Sequence, residues 1–292
     1  MTRANQLRRS LSQDRLLIAP GAFDCLSAKA VEIAGFPALY MTGMGTSASR
    51  LGLPDYGLAT MTEMVHNAHA ISAAVQVPVI ADADTGYGNE LNMTRTIHEY
   101  ERSGAAGVHI EDQVFPKKCG HLGGKQVIPR TEYIRKIAAA VQARRDSDFV
   151  IIARTDANAV LGFDEAIARA NAALDVGADL ALVEAPENLQ QMAAVPELVH
   201  GPCVLNVLIG GKSPLQPLAE VESMGYRMVL LSDAMLGAAV FAYDAMMETV
   251  KQTSQTLRFP QRFTPRDLFE RFDSDRWDAL RPSEEPVAEL VD

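Results

Sequence analysis

Short apolar runs alternate with longer amphipathic segments along this chain, and most runs stop at a polar or charged residue. The runs at residues 16–20, 38–42, 79–82, 107–110, 149–154, 179–183, 203–206 and 227–231 read as buried strands of a parallel sheet, being short and rich in apolar or β-branched side chains. The intervening segments have the length of helices, the first at residues 24–33. Four of them end alike, on Ala34-Gly35, Ser103-Gly104, Val176-Gly177 and Met224-Gly225, just before the next strand. A glycine past the last helical turn takes the left-handed conformation cheaply and turns the chain back. Eight strands alternating with helices predict an α/β fold of the (β/α)8 TIM-barrel type. No G-x-G-x-x-G follows the first strand, so a dinucleotide-binding sheet loses its best support.

A barrel of this kind takes about 250 residues. The 292-residue chain is therefore divided into a catalytic barrel over residues 1–252 and an arm over residues 253–292. Arg258-Phe259-Pro260, Phe263, Phe269, Phe272 and the single tryptophan, Trp277, lie in the arm. A closed barrel has no place for them in its core, which predicts a helical arm packed on a neighbouring subunit. Hydrophobic content of 48% and charged content of 22% are ordinary for a globular chain. The net charge of −10 argues against nucleic acid or an anionic membrane as partner, and leaves a small carboxylate substrate open because local charge decides there. Cys25, Cys119 and Cys203 are too few, and odd in number, for a disulfide framework. The first ten residues lack a secretory apolar core, and no apolar run reaches the roughly 18 residues that span a bilayer. The expected location is cytoplasmic.

Candidate chemistry gathers where the runs stop. Asp82 and Asp84 follow the third run and precede Gly86-Tyr87-Gly88. In an extended strand they would face the same way, and two like charges there stay ionised most easily around a hard cation such as Mg²⁺ or Mn²⁺. An Asp-rich turn capping the next helix is the other reading of the same residues. The remaining run ends carry Tyr40, Thr42, His109, Glu111, Arg154, Glu184 and Asn206, all on the face where barrel enzymes place their sites. The loop Phe115-Pro116-Lys117-Lys118-Cys119-Gly120-His121-Leu122-Gly123-Gly124-Lys125 sets a cysteine among basic residues and glycines. Such a setting lowers a thiol's pKa, giving a thiolate or a thiol poised to release its proton, on a loop able to act as a lid. Cys25 and Cys203 read as small core residues.

The stretch Ala81-Asp82-Ala83-Asp84-Thr85-Gly86-Tyr87-Gly88, with His109-Ile110-Glu111-Asp112-Gln113 and Lys117-Lys118-Cys119-Gly120-His121, resembles the isocitrate lyase/phosphoenolpyruvate mutase superfamily. Pro20-Gly21-Ala22-Phe23-Asp24, Gly52-Leu53-Pro54-Asp55, Ala153-Arg154-Thr155-Asp156 and Val183-Glu184-Ala185-Pro186 extend the likeness over residues 20–236. The K-[KR]-C-G-H loop marks the carbon–carbon lyase branch, with its methylisocitrate lyase, dimethylmalate lyase, petal death protein and oxaloacetate hydrolase members. The resemblance implies Asp82 as direct Mg²⁺ (or Mn²⁺) ligand, with Asp55, Asp84 and Glu111 holding the metal's waters. It implies Tyr40 and Thr42-Gly43-Met44 around the substrate carboxylate and oxyanion, Arg154 as clamp, and His109, Glu184 and Asn206 completing the pocket. Lys117, Cys119, Gly120 and His121 would lie on the lid. The implied reaction is retro-aldol cleavage of a 2-hydroxy di- or tricarboxylate with Cys119 as general acid. The implied assembly is a helix-swapped homotetramer, a dimer of dimers.

Two positions depart from the lyase pattern. Asn206-Val207-Leu208-Ile209-Gly210-Gly211-Lys212-Ser213-Pro214 follows the superfamily's N-x-x-E-G-G-K-[ST]-P except that Ile209 replaces the glutamate. An alkyl group there would give an apolar wall favouring a smaller or more apolar substrate arm. Ser232 stands where dimethylmalate lyase-like members carry proline and oxaloacetate hydrolases carry serine. Its hydroxyl either binds the gem-diol of a hydrated ketone or caps the next helix with Asp233. Oxaloacetate hydrolysis is therefore the alternative activity. Phosphonomutase chemistry and a non-catalytic scaffold are weaker ones.

Overall fold

In the computed structural model, which describes residues 1–254 and 264–281, eight parallel strands close on themselves in sequence order. They are β1 (Leu17–Ala22), β2 (Leu39–Met41), β3 (Val79–Asp82), β4 (Gly107–Glu111), β5 (Val150–Thr155), β6 (Leu180–Val183), β7 (Cys203–Val207) and β8 (Met228–Leu231). Each expected strand is present, with no end moved by more than two residues. Leu17 opposite Met228 and Ala19 opposite Leu230 close β1 on β8.

The helices are α1 (Arg3–Leu11), α2 (Cys25–Ile33), the short α3 (Gly43–Thr46), α4 (Met61–Ala74), α5 (Glu90–Ser103), α6 (Arg130–Ala143), α7 (Asn158–Leu161), α8 (Phe163–Asp175), α9 (Leu189–Leu198), α10 (Leu218–Ser223) and α11 (Ala234–Thr253). Several of their starts are encoded locally. Asp24 and Ser27 form a reciprocal capping pair on α2, and Thr60 and Glu63 do so on α4. Gly104, with φ at 86°, and Gly225, at 97°, make the expected left-handed exits.

Alternate residues of the strands point into the barrel, and that inner row changes character with height. Its lower part is apolar: Leu17, Ala19, Ile80, Val150, Ile152, Leu180, Leu182, Val204, Met228 and Leu230 form one buried cluster with Tyr40. Continuing upward by two residues gives Thr42, Asp82, Arg154, Glu184, Asn206 and Ser232, all buried. The outward row, including Met41, Ala81, Ile110, Ile151 and Ala153, packs against the helices. α1 was not anticipated from the sequence. Its Leu7 joins the inner cluster, and its Arg8 binds the Asp148 carbonyl at 2.8 Å and Asp179 at 2.9 Å.

The chain divides into two compact units, Met1–Phe241 and Ala242–Asp292. The second contains the rest of α11, then α12 (Pro265–Glu270) and α13 (Ser274–Asp278). Arg258, Phe259, Pro260 and Phe263 lie outside the described residues. Cys203 is buried as expected. Cys25 is a correction: it sits half-exposed in the first turn of α2 rather than in the core.

Candidate active site

Strand register brings the carboxylates together. Asp82 lies opposite His109 across β3 and β4, and Glu111 lies opposite Arg154 across β4 and β5. Asp82 is held from several sides. Tyr40 donates its hydroxyl to Oδ2 at 3.0 Å, the Gly43 N–H donates to the same oxygen at 3.1 Å, and His109 Nδ1 lies 3.4 Å from Oδ1. A Cβ at Gly43 would stand 2.5 Å from Oδ2, so only glycine admits this approach.

Asp84 corrects the strand argument. β3 ends at Asp82, and Asp84 reaches the site through a left-handed backbone, φ 46°, with its N–H bonded to Asp82 Oδ1 at 2.9 Å. A non-glycine residue held there stores strain of the kind found at functional sites. Lys117 reaches in from the lid, its ammonium against Asp55 and 2.9 Å from Asp84 Oδ1.

Burial opposes ionisation of Asp82, but His109 and Lys117 outweigh it and hold this carboxyl below the usual range. Asp84 is pushed up to about 6 by burial, with Asp82 and Asp55 adding to it against Lys117. Burial drives Glu111 well above the ordinary carboxylate value, and neither of its oxygens has a hydrogen-bond partner. Among the described residues, no three His, Cys, Asp or Glu side chains converge as a ready-made metal cage. A Mg²⁺ ion that keeps several waters does not need one. Four buried or half-buried carboxylates gather around one ammonium, and Glu111, approached by the Arg154 guanidinium, makes no hydrogen bond; the set fits a hydrated divalent cation.

On the opposite side, Arg154 grips Asp156 with two nitrogens, Nε–Oδ2 at 2.9 Å and Nη2–Oδ1 at 3.1 Å. It also lies 3.2 Å from Glu111 and 3.5 Å from Glu184. Glu184 receives the Asn206 amide at 3.0 Å, and His121 Nε2 is 3.2 Å away. The Lys212 N–H donates to His121 Nδ1 at 2.9 Å, which leaves the proton of a neutral imidazole on Nε2, facing Glu184. Burial alone would raise Glu184, yet Arg154 and His121 hold it below the usual range. Ser232 donates to Asn206 Oδ1, so its hydroxyl serves the cavity and not the start of α11.

The lid is down. A Cβ on Gly120 would lie 2.2 Å from Arg154 Nη2 and 2.5 Å from Glu184 Oε1, so the loop rests on both. Gln113 clasps Lys118 in both directions, its side chain accepting from the Lys118 N–H at 3.0 Å and donating to the carbonyl at 2.8 Å. A cavity of about 30 Å³ remains, lined by Tyr40, Thr42, Met44, Asp82, Cys119 and Arg154 among others. That is far below the volume of an ordinary small-molecule site, so substrate enters when the lid lifts.

Cys119 corrects the sequence reading. Burial pushes its thiol up, with Asp55 and Glu184 adding to it against the His121 N–H and Arg154, while Lys117 is paired with Asp55 and Asp84. Ile209 corrects it too: the side chain is 61% exposed, and Leu208 lines the cavity instead.

Several supporting residues went unassigned in the sequence. Tyr100 donates to the Asp82 carbonyl at 2.8 Å and meets the Tyr87 hydroxyl at 3.0 Å. Asp112 accepts from Thr155 Oγ1 at 2.6 Å and from the Asp156 N–H at 2.7 Å, and pairs with Arg169 at 3.0 Å. Asp112, one residue past Glu111 at the end of β4, was the available signal.

A sequence-family profile described as phosphoenolpyruvate phosphomutase matches residues 7–252. The 2,3-dimethylmalate lyase of Eubacterium barkeri is 45% identical over 256 residues, 88% of this chain and 89% of that protein. A solved structure of oxaloacetate acetylhydrolase with the inhibitor 3,3-difluorooxalacetate superposes with a TM-score of 0.92 at 42% identity, covering 95% of this chain and 96% of the other. One of phosphonopyruvate hydrolase with oxalate and Mg²⁺ superposes with a TM-score of 0.86 at 30% identity, covering 96% and 98%.

Proposed function

The chain belongs to the phosphoenolpyruvate phosphomutase family, within the isocitrate lyase/phosphoenolpyruvate mutase superfamily, and from that membership we propose that it cleaves a 2-hydroxy di- or tricarboxylate of the dimethylmalate or methylisocitrate type. It is a carbon–carbon lyase of this superfamily. The observation that carries the substrate reading is the seating of the Cys119-Gly120-His121 lid on Arg154 and Glu184, with the thiol lining the same cavity as Asp82. Phosphoryl transfer would need no such acid.

Asp82 would hold a divalent cation directly, and Asp55, Asp84 and Glu111 would hold it through water. When bound, the cation supplies Lewis-acid stabilisation of the developing oxyanion, an effect of several kcal/mol. The protein's own groups do the rest. Arg154 clamps the carboxylate beside the reacting carbon. Tyr40, whose pKa is raised by burial and by Asp82, stays protonated and donates a hydrogen bond. His121 and Asn206 orient the second carboxylate. Cys119, kept as a thiol by burial, delivers its proton to the carbanion left by cleavage. The closed lid keeps water from doing so first. The substrate hydroxyl gives up one proton as the C–C bond breaks, and an equivalent proton restores the thiol when the lid lifts.

One observation favours a second reading. The Ser232 proton points to Asn206, which leaves the oxygen's lone pairs free to accept from a gem-diol, so oxaloacetate hydrolysis to oxalate and acetate is the alternative. Purified enzyme with Mg²⁺, and again with a chelator, should be tested on 2,3-dimethylmalate, 2-methylisocitrate, 2-alkylmalates and oxaloacetate. Chelator-sensitive release of a 2-oxo acid from a hydroxy acid supports the first reading. Oxalate from oxaloacetate, lost selectively in Ser232→Pro, supports the second. No turnover of any of these would reject both.

A further inference from the structure

Lys125 ends the lid loop and has no role in the chemistry above. Its side chain is 1% exposed. The ammonium donates to Asp156 Oδ1 at 2.6 Å and to the Gly120 carbonyl. Asp156 is the carboxylate that Arg154 grips with two nitrogens, and its backbone is pinned by Asp112. Burial would raise Asp156, but Arg154 and Lys125 outweigh it and keep this carboxyl below the usual range. Gly120 follows Cys119 and rests on Arg154 and Glu184. One buried ammonium thus joins the lid, at the residue beside the thiol, to the carboxylate that aims the guanidinium.

The geometry has a direction. Lifting the lid takes the Gly120 carbonyl away and leaves a buried donor of Lys125 unfilled, which is unfavourable where water is scarce. Asp156 belongs to the barrel, so a Lys125 that keeps this partner loses only the Gly120 contact when the lid lifts. The length of that contact fixes where the backbone beside Cys119 comes to rest.

We propose that Lys125 is a positioning residue, a latch that registers Cys119 over the Arg154 clamp so that lid closure and placement of the thiol are one event. In turnover this rests on the lyase reading, because a misplaced proton donor matters only if a carbanion forms. The closing of the lid itself does not depend on that reading.

The test is alkylation of Cys119 by iodoacetamide in the full-length protein without substrate, followed by peptide mass spectrometry so that Cys25 and Cys203 are read separately. Lys125→Met and Lys125→Gln should alkylate at Cys119 roughly tenfold faster than wild type while keeping a cooperative melt, since a local opening has become easier. In turnover, kcat should fall with KM nearly unchanged, because the lost contact matters in the closed state. Wild-type alkylation rates in both folded variants, or faster alkylation with unchanged kcat, would overturn the latch. Loss of the cooperative melt in both would make Lys125 a core residue and overturn it too. A wild-type chain that turns over none of the acids would reject the lyase reading, while the alkylation comparison still decides the latch.

Discussion

Cys119 shows what a sequence reveals about a single residue and what it hides. Its neighbours in the chain, Lys117, Lys118 and His121, mark it as unusual, and it lines the cavity beside Asp82 and Arg154. They mislead about its charge state, because Lys117 pairs with Asp55, 62 positions away, and the thiol is left to burial. The raised pKa has a checkable sign. Only the thiolate alkylates, so a thiol shifted upward holds less of it at neutral pH, and the alkylation rate should still be climbing near pH 9, where an ordinary cysteine of pKa about 8.5 has begun to level off. A rate already flat at pH 8 would show a thiolate instead. In turnover, Cys119→Ala should lose roughly 10²- to 10⁴-fold in kcat with substrate binding little changed. Full activity in that variant would reduce the loop to a cover. Ile209 teaches the same lesson, since motif position named it while the backbone turned it outward and put Leu208 in its place.

At the level of elements, period and punctuation were legible because they depend on neighbours in the chain. Alternation along each strand sets the inner row, and the change from Val150 and Ile152 to Arg154, or from Leu180 and Leu182 to Glu184, marks the catalytic face before any coordinate is known. Asp84 was placed on the correct face for the wrong reason, since a left-handed turn and not strand periodicity carries it there. α1 was missed because what holds it is distant: Arg8 bonds to Asp148 and Asp179. The lid was legible as a glycine-rich loop, but the need for one glycine is geometric. Gly120→Ala would set a methyl group against Arg154 and Glu184, which are themselves fixed by Asp156 and Asn206 and cannot yield. The expected result is a kcat loss of about tenfold or more with little change in melting temperature, because the loop adds little to the buried core. Unimpaired kcat in Gly120→Ala would mean that the lid does not seat on Arg154 during catalysis.

For the whole molecule, the barrel follows from the alternation of eight strands with helices, whereas assembly depends on surfaces that alternation does not describe. No residue of α11 is buried, although it carries Val240, Tyr243, Met247 and Phe241, the last 75% exposed. Phe269 and Trp277 are exposed as well, Trp277 by 69%. Burying the part still exposed, over half of aromatic side chains of about 150–250 Å² each, at roughly 25 cal/mol per Å² would yield about 2–5 kcal/mol per residue before the costs of association. These are the residues expected to pack on a neighbouring subunit. Trp277 is the only tryptophan in the chain and so reports on its own surroundings without labelling. If the arm docks on a second copy, Trp277 should fluoresce like a buried indole at high protein concentration and shift to the red on dilution, in step with a fall in mass by light scattering. Truncation after Thr249 removes that residue and part of α11, and should give a species of lower mass. A red, concentration-independent emission, or a truncated chain with unchanged mass, would show that the arm takes no part in assembly.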